Sequence, residues 1–218
     1  MSETGALAFE RALAFVRARS VLKRGERVLV ASGGGAASVG LLAFVWMARD
    51  ALKLRSIAVL SIDGGALDDG DRSADAARAA RALGLDVRVV EADGLAVSQR
   101  IVREIRDRRY DVAAVGHTVE DAAARALREL LGAGPIRGLA ARRRDGLRRP
   151  LLDTTAAEAD ALTRLAGLDP PTCEPGRGWT GSFALDRAVR EALLPRVRAL
   201  GPDVERSLAG LVRRVRAQ

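Results

Sequence analysis

Four short runs of β-branched and apolar residues recur about every 25 to 30 residues: Arg27–Ala31, Ser56–Ile62, Val87–Val90 and Asp111–Val115. Segments with apolar residues at helical spacing separate them. These are Ser38–Met47, Arg72–Leu83 and Ala96–Arg109, where Val97, Ile101, Val102 and Ile105 share one face. This alternation constrains the chain strongly. Consecutive parallel strands cannot be joined by hairpins, and their helical crossovers take one hand. The expected fold is α/β: a Rossmann-like, doubly wound parallel sheet of about five strands, with helices on both faces and a helical C-terminal extension. Ligands in such sheets bind beyond the carboxyl ends of the strands, where strand order reverses. The segments after Ala31, Ile62 and Val115 are therefore expected to meet.

The flanks are helical. Leu7–Leu22 precedes the first strand and Glu120–Leu131 follows the fourth. Beyond Leu131 the chain turns Gly- and Arg-rich as far as Pro150, and Leu151-Leu152 reads as the last strand. Thr155–Leu165 reads as a helix capped by Thr154 or Thr155, with Glu158 completing a capping box. A Pro/Gly loop (169–181) leads to basic helices over Ala184–Leu200 and Val204–Val215. We divide the chain into an α/β domain, 1–168, and an extension, 169–218. With 218 residues, the chain can bury roughly 70% of its unfolded surface.

Ser32-Gly33-Gly34-Gly35 lies between the first strand and its helix. Glycines there aim backbone amides across the positive end of a helix, which holds phosphate without a charged side chain. The Gly-Lys-Ser/Thr ending of a Walker loop and the G-x-G-x-x-G pattern are both absent. Val28–Met47 is 20 residues without a charge and nominally meets the length of a membrane span. The three glycines break it near its start, so it reads as strand, turn and helix, and no membrane association is expected.

The run Val28–Leu42 resembles, without a gap, the PP-loop of the N-type ATP pyrophosphatases, whose motif S-G-G-x-D-S follows a V-L-V-A-V strand. Gly34, Gly35 and Ser38 fall on the two glycines and the final serine. Gly33 replaces the first serine and Ala37 the aspartate. Gly116-His117-Thr118-Val119-Glu120-Asp121 resembles the family's G-H-x-x-D-D, and Arg149-Pro150-Leu151 its R-P-L. Ile62-Asp63-Gly64-Gly65 sits where the family places a strand end near adenine. The resemblance spans residues 20 to 168 and is to the tRNA-thiolation and tRNA-lysidine enzymes. It implies ATP and magnesium as cofactors, and adenylation of a tRNA base carbonyl with release of pyrophosphate. It implies a nucleotide site of Ala31, Ser32, Gly33, Gly34, Gly35, Ser38, Ile62, Asp63, Gly116, His117 and Asp121. Asp63 and His117 are the catalytic candidates. Glu120 and Asp121 read equally well as acids at a helix N-terminus.

Two departures bear on activity. Ala37 offers no metal ligand, and losing one transition-state charge contact costs about 3 kcal/mol or more. The thiolating branch carries a Cys-x-x-Cys that this chain lacks. Its one cysteine, Cys173, excludes an intramolecular disulfide and a cysteine-held iron–sulfur cluster within one chain. Cys173 reads as a small buried hydrophobe rather than a persulfide carrier. A second reading is thus a catalytically silent paralogue that binds nucleotide or tRNA and forms a heterodimer with an active homologue, or a homodimer. A bare adenine-nucleotide sensor is a third.

The net charge is +8, and lysine occurs only at Lys23 and Lys53, so the cations are almost all arginine. Arg137, Arg142, Arg143, Arg144, Arg148 and Arg149 form a stripe suited to an RNA backbone. A GC-rich genome that writes arginine at solvated positions explains them as well. Stacking partners are few (Tyr110, Trp179, Phe183), so phosphate gripping is favoured over base reading. The N-terminus shows no apolar secretory core, and a cytoplasmic location is expected.

Overall fold

The computed structural model describes residues 3–63, 72–91, 96–132, 137–171, 189–201 and 203–215. Strands β1 (Arg27–Ala31), β2 (Ser56–Asp63), β3 (Val87–Glu91), β4 (Val112–Val115) and β5 (Leu147–Arg148) pair in parallel in the order β3-β2-β1-β4-β5. Between them run α2 (Ala36–Leu52), α3 (Arg72–Ala82), α4 (Val97–Arg108) and α5 (Val119–Leu130). Helix α1 (Glu3–Ala18) precedes the sheet, and α6 (Ala156–Leu165) follows it. A π-helical turn (Val189–Leu193), α7 (Leu194–Arg198) and α8 (Val204–Val215) end the described chain. The α/β parallel-sheet expectation holds.

Alternation along β1 sorts the helices onto two faces. Val28 and Val30 point into the larger core with Leu41, Leu42 and Phe44 of α2, all fully buried. Leu29 and Ala31 point the other way, against Ile101 and Ile105 of α4. Each large apolar side chain so buried contributes about 1.5–3 kcal/mol. Helix α6 lies on α2 at very short range. A Cβ at Gly40 would sit 2.4 Å from the Ala159 carbonyl oxygen, so only glycine allows this approach. On α4 the inward face also holds a buried ion pair, Arg100 with Glu104 at 3.1 Å, beside the apolar residues.

Several boundaries move for identifiable reasons. Helix α1 starts at Glu3 and stops at Ala18, because Ser20 takes a positive φ of 47° and the Val21 amide turns back to Val16. Helix α2 starts two residues before Ser38. The last strand is Leu147–Arg148, not Leu151-Leu152. Pro150 has no amide to donate, and the chain turns there. Leu151 and Leu152 are buried within the turn, so core packing produced their apolar signal. The helix expected over Ala184–Leu200 is a π turn followed by α7. Pro195 stands at the start of α7 and cannot donate the amide that a continuous helix requires. Residues 184–188 lie outside the described residues.

The C-terminal elements pack on α5. Val189 and Leu194 cover Ala123 and Ala124, and Ala209 of α8 meets Ala122 and Leu152. Glu158 ties three helices together. It accepts from the Thr155 amide at 2.7 Å and pairs with Arg206 of α8 at 3.2 Å and with Arg11 of α1. Among the described residues, no helix is long and apolar enough to cross a membrane.

Candidate functional site

Strand order reverses between β1 and β4. The chain leaves β1 through α2 towards β2, and returns from β3 through α4 to β4 on the other side. Ala31 and Val115 are register partners at this point. Beyond them lie two of the three segments expected to meet, Ser32–Gly35 and Gly116–Thr118; most of the third, after Ile62, lies outside the described residues.

The first segment is a compact turn. Ser32 is buried and its amide extends the β1–β2 ladder to Leu60 O at 2.8 Å. Gly34 has φ +75°, a conformation that side chains rarely adopt. Its amide donates to Ser32 Oγ at 3.4 Å, and the Ser32 and Ser38 hydroxyls stand 3.3 Å apart. Ser38 Oγ in turn donates to Gly35 O at 2.8 Å. Gly35 is the N-cap of α2 in extended conformation, with no side-chain cap and no acid in the first turn. Gly33 is half-buried between these residues. The two hydroxyls are used within the turn, and among the described residues the amino end of α2 has no side-chain cap and no acid in its first turn, so its peptide dipoles favour an anion there.

The second segment abuts the first. A Cβ at Gly116 would lie 2.8 Å from Ala37 O and 2.9 Å from Ser38 Cα. The glycine is required by this contact between the end of β4 and the first turn of α2. The His117 amide donates back to Val115 O at 3.0 Å, and its side chain is half-buried next to that contact. Ile62 and Asp63 extend β2 past the end of β1, with Ile62 against the α4-side core. The side chain of Asp63 and the loop 64–71 lie outside the described residues.

The acids of the second segment are engaged elsewhere. Asp121 Oδ2 accepts from the Thr118 amide at 2.7 Å and closes a capping box on α5. Glu120 accepts from the Ala156 amide with both oxygens, at 2.9 and 3.0 Å, and so caps α6 from α5. Among the described residues, no group of three or more His, Cys, Asp or Glu is placed to hold a metal ion. With Ala37 at the loop and both acids used as caps, the described donor set does not fit a protein-held magnesium.

The arginines separate into two groups. Arg137, Arg142, Arg143 and Arg144 are exposed. Arg148 is half-buried and donates to the carbonyls of Arg143 at 2.7 Å and Leu147 at 3.2 Å. Arg149 is 6% exposed and donates to Ala140 O at 2.7 Å. Burial first, and then repulsion from Arg143, lower its pKa to about 10. The structure thus does not bring Arg149 to the surface stripe.

Sequence reasoning missed Glu129. It is buried and accepts from Arg125 at 2.6 Å and from the amides of Arg137 and Gly138 at 2.9 and 2.7 Å. Burial alone would raise its pKa, but the Gly138 amide and Arg125 outweigh burial and hold it below the usual value. It was missed because an acid in the last turn of a helix gives no signal of the loop that folds back on it. Cys173, Trp179 and Phe183 lie outside the described residues.

No protein-family model matches the chain, and no curated protein matches it in sequence. Solved structures do match its fold. The U34-tRNA thiolase NcsA from Methanococcus maripaludis, solved with its [4Fe-4S] cluster, aligns at TM-score 0.72 and 15% identity, covering 98% of this chain and 80% of that one. The NMN synthetase from Francisella tularensis aligns at TM-score 0.53 and 12% identity, over 97% and 95% of the two chains. The NH3-dependent NAD synthetase from Campylobacter jejuni aligns at 0.50 and 15%, over 98% and 94%.

Proposed function

We propose that this chain, which has the fold of the PP-loop ATP pyrophosphatases, binds ATP with its phosphates in the nest between β1 and β4 and acts in tRNA modification. One observation supports the nucleotide reading: the amino end of α2, with no side-chain cap at Gly35 and with Gly34 at φ +75°, lies at the point of strand reversal. The fold likeness to a tRNA thiolase supports tRNA as the partner. On this reading ATP adenylates a tRNA base carbonyl, pyrophosphate leaves, and sulfur or an amine displaces the adenylate. The Gly33–Gly35 turn and Ser38 hold the phosphates once the Gly34 amide gives up its 3.4 Å contact to Ser32 Oγ, Ile62 lies beside the nucleotide, and His117 faces it.

Ala37, and the use of Glu120 and Asp121 as caps, favour a second reading: a paralogue that binds nucleotide or tRNA without turnover and partners an active homologue. Pyrophosphate release from ATP, with and without tRNA, separates the two. Release that needs tRNA supports the enzyme. ATP binding without release, converted to release by Ala37→Asp, supports the silent paralogue. Absence of ATP and pyrophosphate binding by calorimetry would refute the first reading and the nucleotide-binding form of the second, and absence of tRNA binding as well would refute both.

A further inference from the structure

A groove of about 520 Å³ runs along the outer side of α4, on the sheet face opposite α2. Its helical wall carries Gln99, Arg103 and Arg106 at spacings that place them on one side of the helix. Its other wall is Arg143 and Asp145. Arg143 belongs to a tight turn that begins Arg142-Arg143-Arg144, closed by the Arg143 amide to Leu147 O at 2.9 Å and by Arg148 onto the Arg143 carbonyl. Gly146, at φ +95°, brings this turn against Ile105 of α4, where a Cβ would lie 3.2 Å from Ile105 Cδ1. The arginines therefore stand on a fixed turn packed against a helix.

We propose that this groove docks an RNA phosphate backbone, separately from the nucleotide crevice. Arg103, Arg106 and Arg143 line it against two aspartates, Asp107 and Asp145, and Arg142 and Arg144, the chain neighbours of Arg143, are also exposed. Those aspartates pair with Arg103 at 3.5 Å and Arg143 at 2.6 Å, which orients two of the guanidiniums and leaves Arg106 as the excess positive charge of the lining. Arginine forks match phosphate oxygens bidentately. Val102 is the one large apolar residue in the lining and no aromatic residue is present, so the anchors that a protein partner needs are missing. The same lack of stacking surface favours backbone over base contacts. The turn precedes β5 and packs beside Asp111, at the amino end of β4. One strand length, about 17 Å, separates that level from Gly116 at the crevice. RNA held here is positioned by its backbone, and a different part of it reaches the crevice. The choice of RNA rests on the function proposed above; the groove itself does not.

The test is fluorescence anisotropy of a labelled RNA hairpin across a salt series, with ATP binding measured in parallel. The triple variant Arg103→Gln/Arg106→Gln/Arg143→Gln should weaken RNA binding at least about tenfold, and each lost phosphate contact should flatten the log–log salt slope by about 0.7–0.9. The double variant Arg103→Gln/Arg106→Gln leaves the arginine turn intact and should retain part of the loss. Both should keep wild-type ATP binding and wild-type thermal unfolding. RNA affinity within twofold of wild type in the triple variant, or no RNA binding by the wild type at low salt, overturns the proposal. So does competition by an acidic peptide as effective as unlabelled RNA. Groove-dependent RNA binding without any ATP binding would instead sink the nucleotide reading and leave this one standing.

Discussion

Gly116→Ala tests whether the contact between β4 and the first turn of α2 builds the site. The added Cβ would meet Ala37 O at 2.8 Å, Ser38 Cα at 2.9 Å and Ala37 C at 3.0 Å. All three are backbone or Cα atoms, so no side-chain rotation relieves the overlap. Either β4 or the start of α2 must move by about half an ångström, and both are fixed by the buried core around Val30, Ala114 and Leu41. Overpacking of this kind costs about 1–3 kcal/mol. For a chain of this size that lowers the melting temperature by about 2–12 °C. The matched control is Gly35→Ala. A Cβ there meets nothing within 4 Å, and its φ of −76° suits alanine, so stability should stay within about 0.5 kcal/mol of wild type. Urea unfolding reports both values, and pyrophosphate calorimetry reports the effect on the nest. The reasoning predicts weaker pyrophosphate binding in Gly116→Ala, because the two sides of the nest spread. A Gly116→Ala protein as stable as wild type with unchanged pyrophosphate binding would refute it.

Gly40→Ala should destabilise by about 1–3 kcal/mol despite alanine's better helix propensity, since its Cβ would stand 2.4 Å from the Ala159 carbonyl; equilibrium unfolding checks this. Glu129→Gln should cost about 1–3 kcal/mol at neutral pH, because an amide group cannot replace both of its charged acceptor oxygens. The folded pKa of Glu129 lies below its ordinary 4.5, so its contribution is present above that value and fades as pH falls through the lower folded value. The acid limb of the stability curve should therefore be shallower in Glu129→Gln than in wild type. Thr155→Ala removes a hydroxyl that accepts from the Glu158 amide at 3.2 Å and should lower stability by about 1 kcal/mol in urea unfolding.

What the sequence makes legible here is local. The first four strand runs, the Gly33–Gly35 turn and the Thr155–Glu158 capping box each depend on neighbouring residues, and each forms where the pattern places it, whereas the Leu151-Leu152 strand does not. Contacts set by distant pairings are not legible. Glu120 reads as an acid in a first turn, which it is, but its partner amide is 36 residues away at Ala156. Gly40 reads as a weak spot in an apolar helix until Ala159 is laid across it. Arg149 reads as a member of a surface stripe because arginine is seldom buried. Its burial follows from Pro150 and the turn that draws Leu151 and Leu152 into the core. Arg103 and Arg106 were passed over for the opposite reason: their significance depends on the turn that faces them across α4.

The same capping contacts decide the electrostatics of the crevice. Each helix amino end carries about half a positive charge. At α5 this end is met by Asp121, and at α6 by Glu158 together with Glu120, so both are compensated from within the chain. Helix α2 has neither a side-chain cap nor an acid in its first turn. Of these three helix ends, α2 is the one with no acid in its first turn and no side-chain cap among the described residues. An aspartate at position 37 would supply part of that compensation itself and would need a cation to restore attraction for phosphate. Alanine removes that requirement along with the ligand. On the second reading proposed above, the loop holds an anion at rest and does not drive the departure of one, because Glu120 and Asp121 are spent as helix caps.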